Sequence, residues 1–214
     1  QMSKFKGKVV ILNSPPNSGK DSIAEVLNDS LDWDWNCFKD HLYDCTATLF
    51  NTDKWDLIEW ATDRVTKEVP LEELSIPSDK YKLLDNIVKS NRAFTLEDGY
   101  IPLSPREALI YTSEVVIKPT MGEEYFGKIA AENIDLDEVT VFSDGGFNEE
   151  LLPVIERVGA ENVYVVQWSR EGCSFKGDSR NYLKVPDNVA KLVTTNNGTI
   201  DEIVDEIINW ISGE

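Results

Sequence analysis

The first regular pattern in the chain is a continuous apolar run, Val9–Leu12, followed by a turn-rich stretch that ends at Gly19. From about Asp21 onward, apolar residues recur at helical spacing as far as Leu31. A short apolar run is typical of a buried strand, and proline, asparagine and glycine are typical of the turn after it. The pattern therefore predicts a strand, a loop and a helix in direct succession.

Strand patterns return after residue 138 and alternate with helical ones. The predicted strands are a short one at Trp35–Phe38 and three later ones at Val139–Ser143, Val163–Trp168 and Lys191–Thr195. Helices are predicted at Asn148–Val158 and after Thr199, which forms a capping-box pattern with Glu202. Because alternating strands and helices favour a parallel sheet, we expect an α/β protein with about five parallel strands.

The middle of the chain has a mostly helical pattern. The predicted helices are Leu42–Asn51, Asp53–Glu68, Asp79–Ser90, Pro105–Ile117 and Gly122–Asn133. At this length we expect a single domain, residues 1–214. In it, residues 1–39 and 134–214 would form the α/β core, and residues 40–133 would form a helical insertion.

Charge and composition narrow the classes of function. The 214 residues include 21 Lys and Arg against 39 Asp and Glu, a net charge of −18, so the field of the protein repels polyanions and disfavours generic nucleic-acid binding. A local cluster of amides and cations can still bind a small phosphorylated ligand. The apolar runs are too short to span a membrane, and the three cysteines lack CxxC spacing. We therefore expect a cytoplasmic protein with reduced thiols and no membrane partner.

The stretch Ser14–Ser22 has the spacing of a phosphate-binding loop, GxxxxGK[ST]. In that loop backbone amides wrap the phosphates, the lysine reaches the β and γ oxygens, and a hydroxyl binds Mg²⁺. Ser14 replaces the first glycine, and Asp21 replaces the hydroxyl residue, with Ser22 one position later. We expect Lys20 to bind phosphate and either Asp21 or Ser22 to bind Mg²⁺. The predicted nucleotide-contacting residues are Ser14, Pro15, Asn17, Ser18, Gly19, Lys20, Asp21 and Ser22.

Charged residues near the predicted strand ends are further candidates. Arg170, Lys176 and Arg180 follow a strand in a glycine-rich segment, where mobile cations could close over a transferring phosphoryl group. The alternative is a solvated loop whose arginines pair with acidic residues. Asp144 ends a strand, and strand ends line the ligand crevice of an open parallel sheet. Asp144 could therefore bind Mg²⁺ or substrate, or else form an Asx turn before the two glycines.

Candidates for binding an acceptor lie in the helical insertion. Arg106 is in the first turn of a predicted helix, where a cation opposes the helix dipole, so binding of an acceptor phosphate would explain it. Arg64 and Lys67 are near a helix carboxyl end, where the dipole alone is also an explanation. Asp40 could contact substrate and accept the proton of an acceptor hydroxyl, or it could be a helix N-cap.

Several of these motifs, in this order, resemble the deoxynucleoside monophosphate kinases of bacteriophages. The resembling segments are Ser18–Ser22, Phe38–Tyr43, Ser104–Leu109 with Ser113 and Glu114, and Val139–Glu149, followed by Arg170. The sequence departs from that family at Gly146, where the family has an arginine at the strand end. The segment Arg170–Arg180 is also similar to phage P-loop kinases linked to modified pyrimidines, including the class that phosphorylates 5-hydroxymethyluracil within DNA.

The resemblance implies a three-layer P-loop kinase fold with a helical acceptor-binding insertion, and ATP with Mg²⁺ as cofactors. It implies phosphoryl transfer to a deoxynucleoside monophosphate in the cytoplasm of a phage-infected bacterium. The catalytic candidates are Lys20, Arg170 and Arg180, with Asp40 as the base if the acceptor is an alcohol rather than a phosphate. Two alternatives stay open: a kinase acting on 5-hydroxymethyluracil in DNA, and a non-catalytic nucleotide-binding protein with a degenerate P-loop. The expected partner is a small nucleotide or, in the first alternative, modified DNA. For the oligomeric state, the sequence leaves both a homodimer and a monomer open.

Overall fold

The computed structural model describes residues 5–90 and 99–213. The chain divides into two compact units, Gln1–Phe38 with Phe126–Glu214, and Lys39–Tyr125. Within the described ranges, none of the helices combines the length and the apolar character that a membrane crossing needs.

Within residues 5–90 and 99–213, seven strands form two sheets. In chain order they are β1 (Val9–Asn13), β2 (Asp34–Asn36), β3 (Leu71–Pro77), β4 (Tyr100–Leu103), β5 (Thr140–Phe142), β6 (Val163–Ser169) and β7 (Ala190–Thr195). The first unit contains a five-stranded sheet of order β2-β5-β1-β6-β7, in which all neighbours are parallel. In the second unit, β3 and β4 pair antiparallel. The strand β1 is therefore central, and the loop that follows it leaves the middle of the sheet.

Helices account for most of the remaining described structure. They are α1 (Lys20–Leu31), α2 (Asp40–Phe50), α3 (Lys54–Thr62), α4 (Ser78–Val88), α5 (Pro105–Ile110), a π-helix (Tyr111–Ile117), α6 (Lys118–Met121), α7 (Tyr125–Glu132), α8 (Asn148–Val158) and α9 (Ile200–Ser212). The hydroxyl of Thr199 caps α9 by accepting from the backbone N–H of Glu202 at 3.2 Å. The sequence therefore predicted the start of α9 and both ends of α8 correctly.

Side chains of β1 alternate between the two faces of the five-stranded sheet. Val10 and Leu12 pack in one apolar cluster with residues of α1 and α9. Val9 and Ile11 pack in a second cluster with residues of α7 and α8. A strand covered on both faces has a continuous apolar sequence, which explains the pattern at residues 9–12. The predicted three-layer α/β fold with five parallel strands is confirmed.

The second unit contains strands that the sequence pattern did not predict. The strands β3 and β4 lie between the predicted helices, and they pair through Ile76 and Ile101. Leu74, Ile76, Ile101 and Leu103 are buried in the apolar cluster of this unit. The description of residues 40–133 as helical is therefore wrong at these strands, because pairing between distant segments leaves only a weak local pattern.

One predicted helix in this unit is shorter than expected. The sequence predicts a helix at Asp53–Glu68, but α3 ends before Asp63, and a short 3₁₀ turn follows. The Asp63 carboxylate accepts from the backbone N–H groups of Thr66 at 2.8 Å and Val65 at 2.9 Å, and these bonds lower its pKa. Such local side-chain bonds compete with continuation of a helix.

Candidate functional site

The loop between β1 and α1 has a backbone suited to binding anions. Asn17 and Gly19 have positive φ angles of 64° and 98°. Turns with left-handed residues can direct successive N–H groups into a concave anion-binding nest. Pro15 and Pro16 have no N–H to donate, so the run of consecutive donors in this loop begins at Asn17. The loop also leads into the amino end of α1, where the helix dipole favours negative charge.

Lys20 lies in a cavity at this loop. Its Nζ donates to the carbonyl oxygens of Ser14 at 2.6 Å and Pro15 at 3.0 Å. Burial lowers the pKa of Lys20, and the negative charges of Asp21 and Asp178 oppose this shift. The cavity has a volume of 340 Å³ and is lined by Asn17, Gly19, Lys20, Asp21, Ser22 and Arg170. The structure thus brings together most of the predicted nucleotide-contacting residues with one predicted lid cation.

Hydrogen bonds from distant strand ends fix the backbone of the loop. The carbonyl of Ser18 accepts from Trp168 Nε1 at 3.1 Å and from Asn196 Nδ2 at 3.2 Å. The Ser14 hydroxyl donates to the Trp168 carbonyl at 2.8 Å, and the Ser18 hydroxyl donates to the Pro15 carbonyl at 2.5 Å. Both serines are buried. Ser14 and Ser18 therefore support the loop structurally through their side chains.

Asn13, the last residue of β1, organises a buried network beneath the loop. Its Oδ1 accepts from the backbone N–H of Leu183 at 2.7 Å and from Gln167 Nε2 at 2.9 Å. Its Nδ2 donates to the carbonyls of Asn181 at 3.0 Å and Gly145 at 3.1 Å. The sequence analysis missed this residue. A usable signal was present, since a polar residue that ends a buried strand needs partners.

Asp21 and Ser22 offer oxygen atoms to the cavity from the first turn of α1. Among residues 5–90 and 99–213, no cluster of three or more His, Cys, Asp and Glu side chains could hold a metal ion. Mg²⁺ usually takes one or two protein ligands together with water and phosphate oxygens. A carboxylate and a hydroxyl beside a loop lysine fit that mode, so both residues stay candidates.

Asp144 and Arg170 follow β5 and β6, the two strands that flank β1, at the carboxyl edge of the sheet. The Asp144 Oδ1 accepts from the backbone N–H of Phe38 at 2.7 Å, which joins the end of β5 to the segment after β2. The charge of Asp144 also acts on Lys20 and opposes the lowering of its pKa. Arg170 comes directly after β6 and lines the cavity. Their catalytic and metal-binding roles stay predictions.

Arg180 is in a buried ion pair. Its guanidinium binds Glu150 bidentately, at 2.7 Å to Oε1 and 3.1 Å to Oε2, and also donates to the carbonyl of Asp144. The side chains of Arg180 and Glu150 are only 12% and 10% exposed. Burial of Arg180 opposes its charged form, but the charges of Glu150 and Asp144 outweigh burial and raise its pKa. Arg180 therefore pairs with an acidic residue, as in the alternative interpretation, but the pair is buried rather than solvated.

Asp40 begins α2 in the second unit. Lys39 occupies the N-cap position, so the alternative interpretation of Asp40 as an N-cap is wrong. The carboxylate of Asp40 is bound by Lys54 Nζ at 3.0 Å, and the same ammonium lies 2.9 Å from Asp44 Oδ1. Lys54 thus links two carboxylates that are one turn apart on α2.

Arg106 and Arg64 are exposed on the second unit. Arg106 follows Pro105 in the first turn of α5, where Ser104 and Glu107 form a capping box. The Ser104 hydroxyl accepts from the Glu107 N–H at 3.1 Å, and Glu107 Oε1 accepts from the Ser104 N–H at 2.9 Å. These bonds satisfy the helix end without Arg106, so its side chain is available for another purpose.

Fold and site together define a three-layer α/β protein with a P-loop after its central strand. No protein-family model matches the sequence. No curated protein matches it. Among solved structures, the chain is similar to a Cys556Ala mutant of the APS kinase CysC of Mycobacterium tuberculosis. The two share 14% identity with a TM-score of 0.43, over 97% of this chain and 98% of the other. A similarity at this level assigns no activity or substrate to the present chain.

Proposed function

We propose that the protein is a P-loop kinase that transfers the γ-phosphoryl group of ATP to a deoxynucleoside monophosphate. The observation that supports this best is the loop between β1 and α1. It combines left-handed residues, a helix amino end and a lysine beside a cavity that Asp21, Ser22 and Arg170 also line. The motif resemblance described above favours a deoxynucleoside monophosphate as acceptor.

The proposed donor site needs little covalent chemistry, because phosphoryl transfer depends mainly on positioning and on stabilising charge. The loop amides from Asn17 onward would bind phosphate oxygens. Lys20 and Arg170 would supply positive charge where negative charge develops. Mg²⁺, when bound, neutralises phosphate oxygens, and Asp21 or Ser22 would hold it. In the transfer, the bond from the bridging oxygen to the γ phosphorus breaks and a new bond to an acceptor oxygen forms, leaving ADP.

The proposed acceptor contacts come from the second unit. Arg106 would bind the acceptor phosphate, with Arg64 as a further cation, because both side chains are exposed. A phosphate acceptor needs no general base, whereas an alcohol acceptor needs a group such as the Asp40 carboxylate to take its proton. The importance of Asp40 therefore distinguishes a nucleotide acceptor from a hydroxymethyl acceptor.

The experiment is a transfer assay with γ-labelled ATP and Mg²⁺. Each deoxynucleoside monophosphate is tested separately, beside duplex DNA that contains 5-hydroxymethyluracil and matched duplex that contains thymine. We expect label in one or more deoxynucleoside diphosphates and none with Lys20→Ala. Label only in hydroxymethylated DNA would establish the first alternative. Tight ATP binding without transfer to any acceptor would establish the second.

A further inference from the structure

Gly146 leaves open a space that the Arg180 side chain fills. A Cβ atom at position 146 would lie 2.6 Å from Cβ, 2.8 Å from Cγ and 2.9 Å from Cδ of Arg180. Gly146 is not one of the glycines with positive φ, so backbone conformation does not require glycine there. Glycine is required there because another chain segment, at Arg180, approaches the backbone closely.

The far end of Arg180 joins both sides of the turn between β5 and α8. The guanidinium donates to the carbonyl of Asp144, two residues after the end of β5, and binds both carboxylate oxygens of Glu150 in the first turn of α8. It also lies 4.6 Å from the centre of the Phe147 ring. A bidentate arginine contact fixes geometry as well as charge. Removing one member of such a buried pair leaves the other charge without compensation.

The residues after Arg180 continue to the base of the phosphate loop. The backbone N–H of Asn181 donates to the carbonyl of Gly146 at 3.3 Å. The carbonyl of Asn181 and the N–H of Leu183 then bind the side chain of Asn13, at 3.0 and 2.7 Å. Asn13 directly precedes the first residue of the loop. Residues 180–183, here called the strap, therefore connect the β5–α8 turn to the loop.

We infer that Arg180 is a positioning residue, whose guanidinium enters through the space beside Gly146, fixes the β5–α8 turn and holds the strap against Asn13. Its effect on nucleotide binding rests on the proposed function, because that part assumes that the loop binds phosphates. The coupling of Gly146, Arg180 and the strap does not rest on it.

The test is a cycle of the variants Gly146→Ala, Arg180→Ala and the double variant. It has two readouts: amide hydrogen exchange at Leu183 in the free protein, and the Kd for ATP without acceptor. Each single variant should accelerate Leu183 exchange and raise Kd on the order of tenfold, within the usual coupling of contacting residues. In the Arg180→Ala background, Gly146→Ala should have a smaller effect on both quantities, because the clashes with Cγ and Cδ are gone and only the clash with Cβ remains.

The matched control is Arg157→Ala, which removes another arginine of the first unit, one that binds backbone carbonyls. Arg157 lies on α8 and donates to the carbonyls of Ala131 at 3.2 Å and Ile134 at 3.4 Å. It should lower thermal stability without changing Leu183 exchange or Kd. Arg180→Lys should recover only part of the loss, because lysine lacks the bidentate fork.

Three results would overturn the inference. The first is unchanged Leu183 exchange in Arg180→Ala, and the second is an equal effect of Gly146→Ala with and without Arg180. A lower melting temperature with unchanged Kd would also overturn it, since Arg180 would then be merely structural. If the wild type binds no ATP, the proposed function fails, and the exchange cycle alone decides whether Arg180 positions the strap. If Arg180→Ala does not fold, Arg180→Lys is measured as a single variant instead. It keeps Cβ to Cδ but loses the bidentate contact, so Leu183 exchange and Kd should both still rise, by less, and unchanged values would overturn the inference.

Discussion

The phosphate loop and the candidate acceptor residues differ in how the rest of the protein supports them. Asn13, which precedes the loop, binds Leu183, and the Ser18 carbonyl within the loop accepts from Trp168 and Asn196. Arg106 and Arg64, by contrast, are exposed cations, the first in the first turn of α5 and the second in the turn after α3. In the first unit, changes in the residues that support the loop should therefore affect stability and binding together. In the second unit, charge can be removed with little effect on folding.

The largest effect is expected for the residue of the loop that contributes charge rather than support. Lys20→Ala should lower kcat by about 10²–10³-fold, the usual loss for one group that stabilises transition-state charge. The melting temperature should fall only slightly. The Ser14 and Pro15 carbonyls lose a donor, but burial lowers the pKa of Lys20, so its charge adds no folding stability. Transfer kinetics and thermal unfolding check this. Lys6→Ala, which removes an exposed ion pair with Asp137, is the control and should change neither quantity.

Arg106→Ala examines the acceptor side of the comparison. Loss of a charge-assisted bidentate contact costs about 2–3 kcal/mol, or roughly 30- to 150-fold in kcat/KM for the acceptor. The KM for ATP and the melting temperature should stay near wild type, because the side chain is exposed. Steady-state kinetics with each substrate varied give both constants. Lys82→Ala, at another exposed cation of the same unit, is the control. Unfolding at lower temperature with unchanged kinetics would make Arg106 a structural residue.

Asn13→Ala examines the support of the loop. It removes the partner of the buried Leu183 N–H and one of the two partners of the buried Gln167 Nε2, so the free energy of unfolding should fall by about 2 kcal/mol or more. Denaturant unfolding measures it, and ATP affinity should fall as well. Asn162→Ala is the control, because Asn162 donates one bond, to Val158 at 2.8 Å. An equal loss in both variants would mean that the network gives Asn13 no special importance.

The smallest effect concerns the metal ligand. If Asp21 holds Mg²⁺ beside phosphate, ATP binding by Asp21→Asn should depend less on Mg²⁺ than wild type, by a few-fold, while turnover falls. Calorimetric titrations with and without Mg²⁺ measure this dependence, and Ser22→Ala is the parallel variant. If the Mg²⁺ dependence of ATP binding stays at the wild-type level in Asp21→Asn but is lost in Ser22→Ala, Ser22 is the ligand instead.

The local sequence pattern was sufficient to predict the strand, loop and helix around Lys20. The strand, turn and helix around Lys20 are adjacent in sequence, and α8 has the bounds that its apolar spacing predicts. The same reasoning failed at β3 and β4, whose pairing joins segments far apart in the chain. It failed equally for the partners of the loop. Trp168 and Asn196 reach Ser18 only because parallel strands bring their carboxyl ends to one edge of the sheet.

Arg180 shows the same limit within one residue. Its sequence context, a glycine-rich segment after a strand, favours a mobile cation, but its ion pair is with Glu150, thirty residues earlier. The glycine that admits it, Gly146, was visible only as a departure from a motif. The packing of an arginine against a distant glycine has no local pattern from which it could be predicted.

The most direct test is an NMR titration of the free protein with ATP and Mg²⁺, which measures the chemical-shift change of each backbone amide. At about 1 mM ATP, the upper end of common substrate affinities, we expect the largest shifts in the amides of residues 17–22 and at Arg170. Lys20→Ala should reduce these shifts at the same concentration. The absence of shifts in residues 17–22, or shifts confined to residues 39–125, would contradict the assignment of this loop as the ATP phosphate site.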